Sequence, residues 1–310
     1  MKYNDILLGL YKEERDIYQE AKLFHQNRHN LNDKIIHLKC VKCDSMVEKK
    51  VGTFICKKCN TLYPSKNNIL NFTQSDEKED KNWGELNKQF LNYHKSLTVY
   101  TLLNSAPIVH YIFNSSRLSE LKNKFIIDVG AGTGNTFFSA LSFPETNDYY
   151  LTDPNIRLIH DHFIRIYPNC LRNKLTHLLC FAENLPFQTE VADYVFSISS
   201  IDHMKSYKQF IQESYRVLKQ DGKLFIMSHL DIEPAARVQN KSIIRKIFSK
   251  NIFEKISRYI YYKRNRVKSD DHTFHFYNTD EIISALTENK FEIEINENEQ
   301  GIFWILASKQ

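Results

Sequence analysis

From residue 125 onward, short β-branched and aromatic runs alternate with stretches of helical spacing, and this alternation limits the possible folds more than any other feature of the chain. The runs lie at 125–129, 149–152, 176–180, 194–199 and 224–228. Apolar strands separated by helical segments pack as a mostly parallel sheet covered on both faces, the α/β class. Two late runs, 291–295 and 302–307, are joined by a short polar segment. They predict an antiparallel hairpin that closes the sheet at seven strands.

The 310 residues allow about two domains. Residues 1–36 form an N-terminal extension in which Ile6, Leu7, Leu10, Ile17, Ala21 and Phe24 mark one face of a helix. Residues 37–73 form a small cysteine-rich unit, and the polar run 75–81 reads as a linker. The main domain then spans 82–310, beginning with a helical stretch over 83–115. With 42% hydrophobic and 25% charged residues the chain is not disordered, and with 8 Gly and 7 Pro it is not a low-complexity or collagen-like sequence. No apolar run approaches the ~18 residues needed to cross a bilayer. Charges interrupt the first sixteen residues, so no secretory core is expected and the protein is expected to be cytosolic. A net charge of +5 is too small to define a nucleic-acid partner.

Four of the six cysteines form two C-x-x-C pairs, Cys40 with Cys43 and Cys56 with Cys59, twelve residues apart. Four thiolates at this spacing suit structural zinc in a closed tetrahedral site, with no position left for a reacting ligand. A unit of about forty residues cannot build a sufficient core alone, so the metal supplies folding energy. Cys170 and Cys180 stand alone and read as small buried apolar residues.

The run Asp128-Val129-Gly130-Ala131-Gly132-Thr133-Gly134 follows the first strand and opens a helix. Glycine is required where a backbone turns tightly against a ligand. Asp153 ends the next strand, where a carboxylate can accept both hydroxyls of a ribose. Gly130, Gly132 and Gly134 do not complete the G-x-G-x-x-G dinucleotide fingerprint.

With these residues, the segments Leu151-Thr152-Asp153-Pro154, Ala182-Glu183-Asn184-Leu185-Pro186-Phe187, Ala192-Asp193-Tyr194-Val195-Phe196-Ser197 and Glu213 to Leu224 occur in order. Over about residues 117–230 the chain resembles the class I S-adenosylmethionine-dependent methyltransferases, particularly the ubiquinone/menaquinone-biosynthesis type. The resemblance implies a Rossmann-like seven-stranded sheet with an antiparallel last strand. It implies that Asp128, Gly130, Ala131, Gly132, Thr133 and Gly134 hold the methionine moiety and the ribose side of S-adenosylmethionine. Asp153 and Pro154 would take the ribose, Ala182, Glu183, Asn184 and Leu185 would line the adenine, and Ser197 and Ile198 would end the fourth strand beneath the sulfonium. The family often has Asp just before the Ala-Glu pair to receive the adenine amino group. Here that position is Phe181, which leaves Glu183 or a backbone carbonyl for the role. The cysteine-rich unit resembles the zinc ribbons of the tRNA-methyltransferase activator protein and of rRNA guanine-N1 methyltransferases. A ribbon followed by this methyltransferase type also resembles enzymes of cell-envelope sugar and natural-product pathways.

Methyl transfer from a sulfonium is a direct displacement that needs alignment and, for some acceptors, a base. His203, with Asp202 beside it just after the fourth strand, is a candidate base, since histidine titrates near neutrality. His272 and His275 form a second candidate pair in the run Asp270 to Phe276, ahead of a helix that Thr279 and Asp280 would cap. Between them and the fifth strand lies a helical insert, about 231–270. Its segment 241–268 holds ten Lys and Arg against one acid, Glu254, with apolar residues at helical spacing. Such an insert serves as a lid, as contact for an anionic sugar-linked acceptor or RNA, as peripheral membrane contact, or as a solvated helix packed by its apolar stripe. The leading expectation is methyl transfer to a small metabolite or pathway intermediate. RNA methylation and a non-catalytic methyltransferase-like binding protein are the alternatives.

Overall fold

In the computed structural model, the described residues are 37–50, 53–66, 69–73, 111–118, 121–132, 147–154, 174–231, 273–299 and 301–310. The expected helix of the N-terminal extension, the linker, most of the 83–115 helix, Thr133, Gly134, Cys170, the basic insert and His272 lie outside them. Of the 83–115 stretch, residues 111–115 are described and are helical.

Five strands form the parallel centre: β5 (Phe125–Val129), β6 (Asp148–Thr152), β7 (Lys174–Leu179), β8 (Ala192–Ile198) and β9 (Leu218–His229). Their spatial order is β7-β6-β5-β8-β9, all parallel neighbours. The order reverses beside β5, and in open parallel sheets a ligand binds at that reversal, beyond the C-terminal ends of the strands. The last strands, β10 (Phe291–Glu299) and β11 (Ile302–Lys309), form the expected antiparallel hairpin. The second of them inserts antiparallel beside β9.

β5 carries Ile126, Ile127, Asp128 and Val129, all buried, because a central parallel strand is covered on both faces. Phe125 stacks on Tyr150 of β6 at 4.6 Å between ring centroids, and Phe187 meets Tyr150 edge-on at 5.2 Å. Helix α1 (Tyr207–Val217) is capped by Ser206, whose hydroxyl accepts from the Gln209 N–H. It turns Tyr207, Phe210, Ile211, Ser214 and Val217 onto the sheet. Helix α2 (Asp280–Glu288) begins where expected, but Thr279 makes no side-chain cap. Asn278 does that work instead, its Oδ1 accepting from the Asp280 N–H at 3.0 Å.

The seven-strand expectation requires correction. The sheet holds eleven strands among the described residues, because the cysteine-rich unit joins it. That unit contributes the antiparallel strands β1 (Val47–Lys50), β2 (Thr53–Cys56) and β3 (Leu62–Lys66), then β4 (Ile69–Asn71). β4 lies parallel to β7, pairing Ile69 with His177, Leu70 with Leu178 and Asn71 with Leu179. An edge strand presents unpaired N–H and C=O groups, and the short apolar run Ile69-Leu70 satisfies that edge. The buried residues Leu38, Phe54, Tyr63 and Phe72 accordingly sit in the same apolar cluster as Phe187, Ile127 and Tyr150.

Among the described residues, no helix is long and apolar enough to cross a membrane.

Candidate functional site

The turn after β5 is built by two glycines in the left-handed region, Gly130 at φ +70° and Gly132 at φ +50°. The Gly130 and Ala131 amides both donate to the Thr152 carbonyl, at 2.8 and 3.0 Å, so the turn is tied to the end of β6. The Thr152 hydroxyl returns a bond to the Asp128 carbonyl at 3.0 Å. A Cβ on Gly130 would lie 2.5 Å from Ser200 Cβ and 2.7 Å from its Oγ. Ser200 is fixed there: its hydroxyl donates to the Val129 carbonyl at 2.9 Å and meets the Ser197 hydroxyl at 2.8 Å. Asp128 is buried and accepts from the Tyr149 hydroxyl at 3.1 Å.

Asp153 stands at the C-terminal end of β6, and its Oδ2 accepts from the Gly132 N–H at 3.0 Å. The structure thus brings Asp128, Gly130, Ala131, Gly132, Asp153 and neighbouring Pro154 to one end of the sheet. Ser197 and Ile198 finish β8 on the far side of the turn, both buried, with the Ser197 hydroxyl bonded to Ser200.

The segment Ala182–Leu185 follows β7. Leu185 is fully buried, and its N–H donates to Glu213 Oε2 at 2.8 Å. Arg216 forks onto the Leu185 and Phe187 carbonyls, at 3.0 and 2.6 Å, and pairs with Glu213 at 2.7 Å. Glu183 is turned toward α1, its Oε1 accepting from the Lys205 and Ser206 amides at 2.7 and 3.0 Å. Phe181 has the Lys205 ammonium 4.8 Å above its ring. Asn184 reaches the other way, its Nδ2 donating to the Val41 carbonyl at 3.0 Å.

After β8 a 3-10 turn, Ile201–His203, carries the first base candidate. Asp202 is buried and accepts from the Ser228 hydroxyl at 3.3 Å, while His203 Nε2 lies 3.8 Å from Asp202 Oδ2. The Asp202 carbonyl accepts from the Thr273 and Phe274 amides, at 2.8 and 3.0 Å. The Asp231 N–H donates to the Phe276 carbonyl at 2.7 Å. Residues 273–276 therefore span the ends of β8 and β9, as the return of that segment toward the site requires. His275 Nδ1 lies 2.9 Å from Asp231 Oδ2. Sequence reasoning missed Asp231 and Ser200. An acid just past a parallel strand was a readable signal for the first. No local signal marks the second, since its role depends on a neighbour seventy residues earlier.

The four cysteine sulfurs gather with all ligand atoms within 4.8 Å of one another. Cys40 and Cys59 sulfurs are 3.5 Å apart, and those of Cys43 and Cys56 are 3.4 Å apart. Tetrahedral zinc with Zn–S bonds of about 2.3 Å would set sulfurs about 3.8 Å apart, so the set fits. The two turns are copies of one another. Asp44 and Asn60, each just past the second cysteine of a pair, have φ +60° and +58°. The Asp44 amide bonds the Cys40 carbonyl at 2.9 Å, and the Asn60 amide bonds the Cys56 carbonyl at 3.1 Å. Backbone amides of Lys58 and Cys59 point at the Cys56 sulfur at 3.4 Å, which favours its thiolate, and the Lys42 amide lies 3.4 Å from the Cys40 sulfur. The hydroxyl and amide of Thr61 pull the Cys59 thiol down to about 6. Cys180 is buried beside this end of the sheet, and burial pushes its thiol well up, which suits an inert packing residue.

Residues 127–226 match the methyltransferase domain family. Over 105 residues the chain is 29% identical to the chloroplastic 2-methyl-6-phytyl-1,4-hydroquinone methyltransferase of Spinacia oleracea, covering 33% of this chain and 28% of that protein. Over 163 residues it is 24% identical to the ubiquinone/menaquinone biosynthesis C-methyltransferase of Agrobacterium fabrum, covering 50% and 62%. A solved S-adenosylmethionine-dependent methyltransferase of Thermotoga maritima superposes with a TM-score of 0.45 at 17% identity, over 74% of this chain and all of that one. The chain spans less than two thirds of the length of either curated relative.

Proposed function

We propose that this protein transfers the methyl group of S-adenosylmethionine to a small biosynthetic acceptor, a metabolite or a sugar-linked, cell-envelope or natural-product intermediate. The observation that carries the reading is the double left-handed turn at Gly130 and Gly132, with the Asp153 carboxylate 3.0 Å from the Gly132 amide at the point where strand order reverses. That arrangement offers close backbone approach for the amino-acid part of the cofactor and a carboxylate for its ribose. Glu183 is engaged by α1, so the adenine amino group falls to a backbone carbonyl of 181–185. The acceptor's electron pair forms the new bond to the methyl carbon as the carbon–sulfur bond breaks toward sulfur. S-adenosylhomocysteine leaves, and a proton on the acceptor passes to a base. Two of the curated relatives are named for quinone or hydroquinone chemistry, which supports a small acceptor.

Calorimetric titration with S-adenosylmethionine tests the cofactor. Wild-type protein binds, and Asp153→Ala weakens binding roughly 10- to 100-fold, the loss of one or two hydrogen bonds to a charged group. Absence of binding to the wild type overturns the reading and moves the non-catalytic alternative to the front.

His203 is the base we assign; its Nε2 lies 3.8 Å from the Asp202 carboxylate, and Asp202 is itself held by Ser228 and by the strap at 273–274. His203→Ala should lower kcat with the true acceptor by about 10²-fold or more, while S-adenosylmethionine affinity holds. Full turnover in that variant would remove the assignment. His275, oriented by Asp231, stands as the second candidate.

RNA as the acceptor is favoured by one observation, the exposure of Lys42, Lys49, Lys50, Lys57 and Lys58 on the cysteine-rich unit. It requires co-purifying RNA whose binding weakens steeply with salt. Peripheral membrane contact through 241–268 is one of several readings of that insert, which lies outside the described residues.

A further inference from the structure

Loop 181–188 is gripped at both ends by residues of the cysteine-rich unit. At its entry the Phe72 N–H donates to the Leu179 carbonyl at 2.7 Å, continuing the ladder of β4 on β7. At its exit the Lys39 N–H donates to the Pro186 carbonyl at 3.0 Å, and the Gln188 N–H donates to the His37 carbonyl at 2.8 Å. Leu38 bridges Phe187 between them. Midway, the Asn184 amide group reaches the Val41 carbonyl at 3.0 Å.

Residues 37–41 thus run along the loop like a rail, and the same residues enter the first metal knuckle. Lys39 precedes Cys40, and Val41 lies between Cys40 and Cys43. Leu38, Cys40, Leu185 and Phe187 share one buried cluster. On the opposite side the loop is held by Glu213, Arg216 and the amides that Glu183 accepts from. Loss of the rail therefore leaves the loop tethered on one side only, shifted and looser. Under the function proposed above, this loop faces the adenine.

We propose that the four-cysteine metal site and the adenosine side of the cofactor site are thermodynamically linked through residues 37–41. Metal orders the knuckle, the knuckle holds loop 181–188 in the form that takes the nucleoside, and bound nucleoside in turn holds the metal more tightly. Asn184 is a positioning residue in this linkage, since its side chain crosses from the loop to the knuckle. The proposal rests on the methyltransferase reading.

Linkage is reciprocal, so either affinity reports it. The measurement uses the full chain loaded with zinc. Zinc affinity is read by competition against a chelator, with and without saturating S-adenosylhomocysteine, whose own binding is first established by calorimetry on the same sample. The expected result is zinc bound at least about fivefold more tightly with the nucleoside present. Asn184→Ala should bring that ratio toward one while zinc stoichiometry stays at the wild-type value. An undiminished ratio in the variant would remove Asn184 from the linkage. Nucleoside binding with unchanged zinc affinity in the wild type overturns the proposal alone. Failure of the zinc-loaded protein to bind S-adenosylhomocysteine overturns the methyltransferase reading, and this proposal with it. Because both arms begin from zinc-loaded protein, they remain readable even if metal-free protein unfolds.

Discussion

Gly130→Ala is expected to abolish S-adenosylmethionine binding. The added Cβ would sit 2.5 Å from Ser200 Cβ, well inside van der Waals contact, and at φ +70° the backbone already disfavours any side chain. Ser200 cannot yield cheaply. Its hydroxyl is shared between the Val129 carbonyl and Ser197 in a buried setting, and turning it away orphans both. The turn must therefore move, and the Gly130 and Ala131 amides lose their alignment on Thr152. Strain and overpacking together cost roughly 2 kcal/mol or more of stability. The effect on binding is expected to exceed that on folding, because in the proposed function the turn's own backbone meets the ligand. Urea unfolding paired with calorimetric titration would measure both. Wild-type affinity in Gly130→Ala would mean that this turn is not the cofactor's seat.

Cys56→Ser is expected to empty the metal site and to unmake the edge of the main sheet. Cys56 is fully buried, 3.4 Å from the Cys43 sulfur, and accepts from two backbone amides. Structural zinc in small fingers contributes on the order of 10 kcal/mol to folding, and three thiolates with one buried hydroxyl forfeit most of it. Metal analysis should fall from about one zinc per chain to near none. The damage does not stop at the ribbon. β4 is bonded to β7, and Phe72 and Leu38 pack into the central cluster, so freeing the ribbon bares a strand edge and apolar surface. Lower solubility and a lower unfolding midpoint should accompany the metal loss. Retained zinc with an unchanged midpoint would overturn the assignment of these cysteines.

Much of this was legible one segment at a time. β5 announces itself by Phe125-Ile126-Ile127 ahead of a glycine turn. The paired C-x-x-C spacing found its cluster because the two knuckles are local structures, each closing over six residues. The Thr279 side chain expected to cap the helix makes no cap bond, and Asn278 instead accepts from the Asp280 amide. The Ile69-Leu70-Asn71 run was readable as the end of a ribbon, but nothing in three residues says which strand they will pair with.

The sequence by itself determined the alternating α/β order, the two glycine bends, the acid at the end of β6 and the two C-x-x-C pairs, since each is read from a short local run of residues. Only the tertiary structure decided that Ser200 closes over Gly130, that Glu183 serves α1, that Asp231 meets His275, and that β4 of the cysteine-rich unit extends the main sheet. Those contacts join residues tens to more than a hundred positions apart, and which strand edge or carboxylate is met depends on how the whole sheet is assembled.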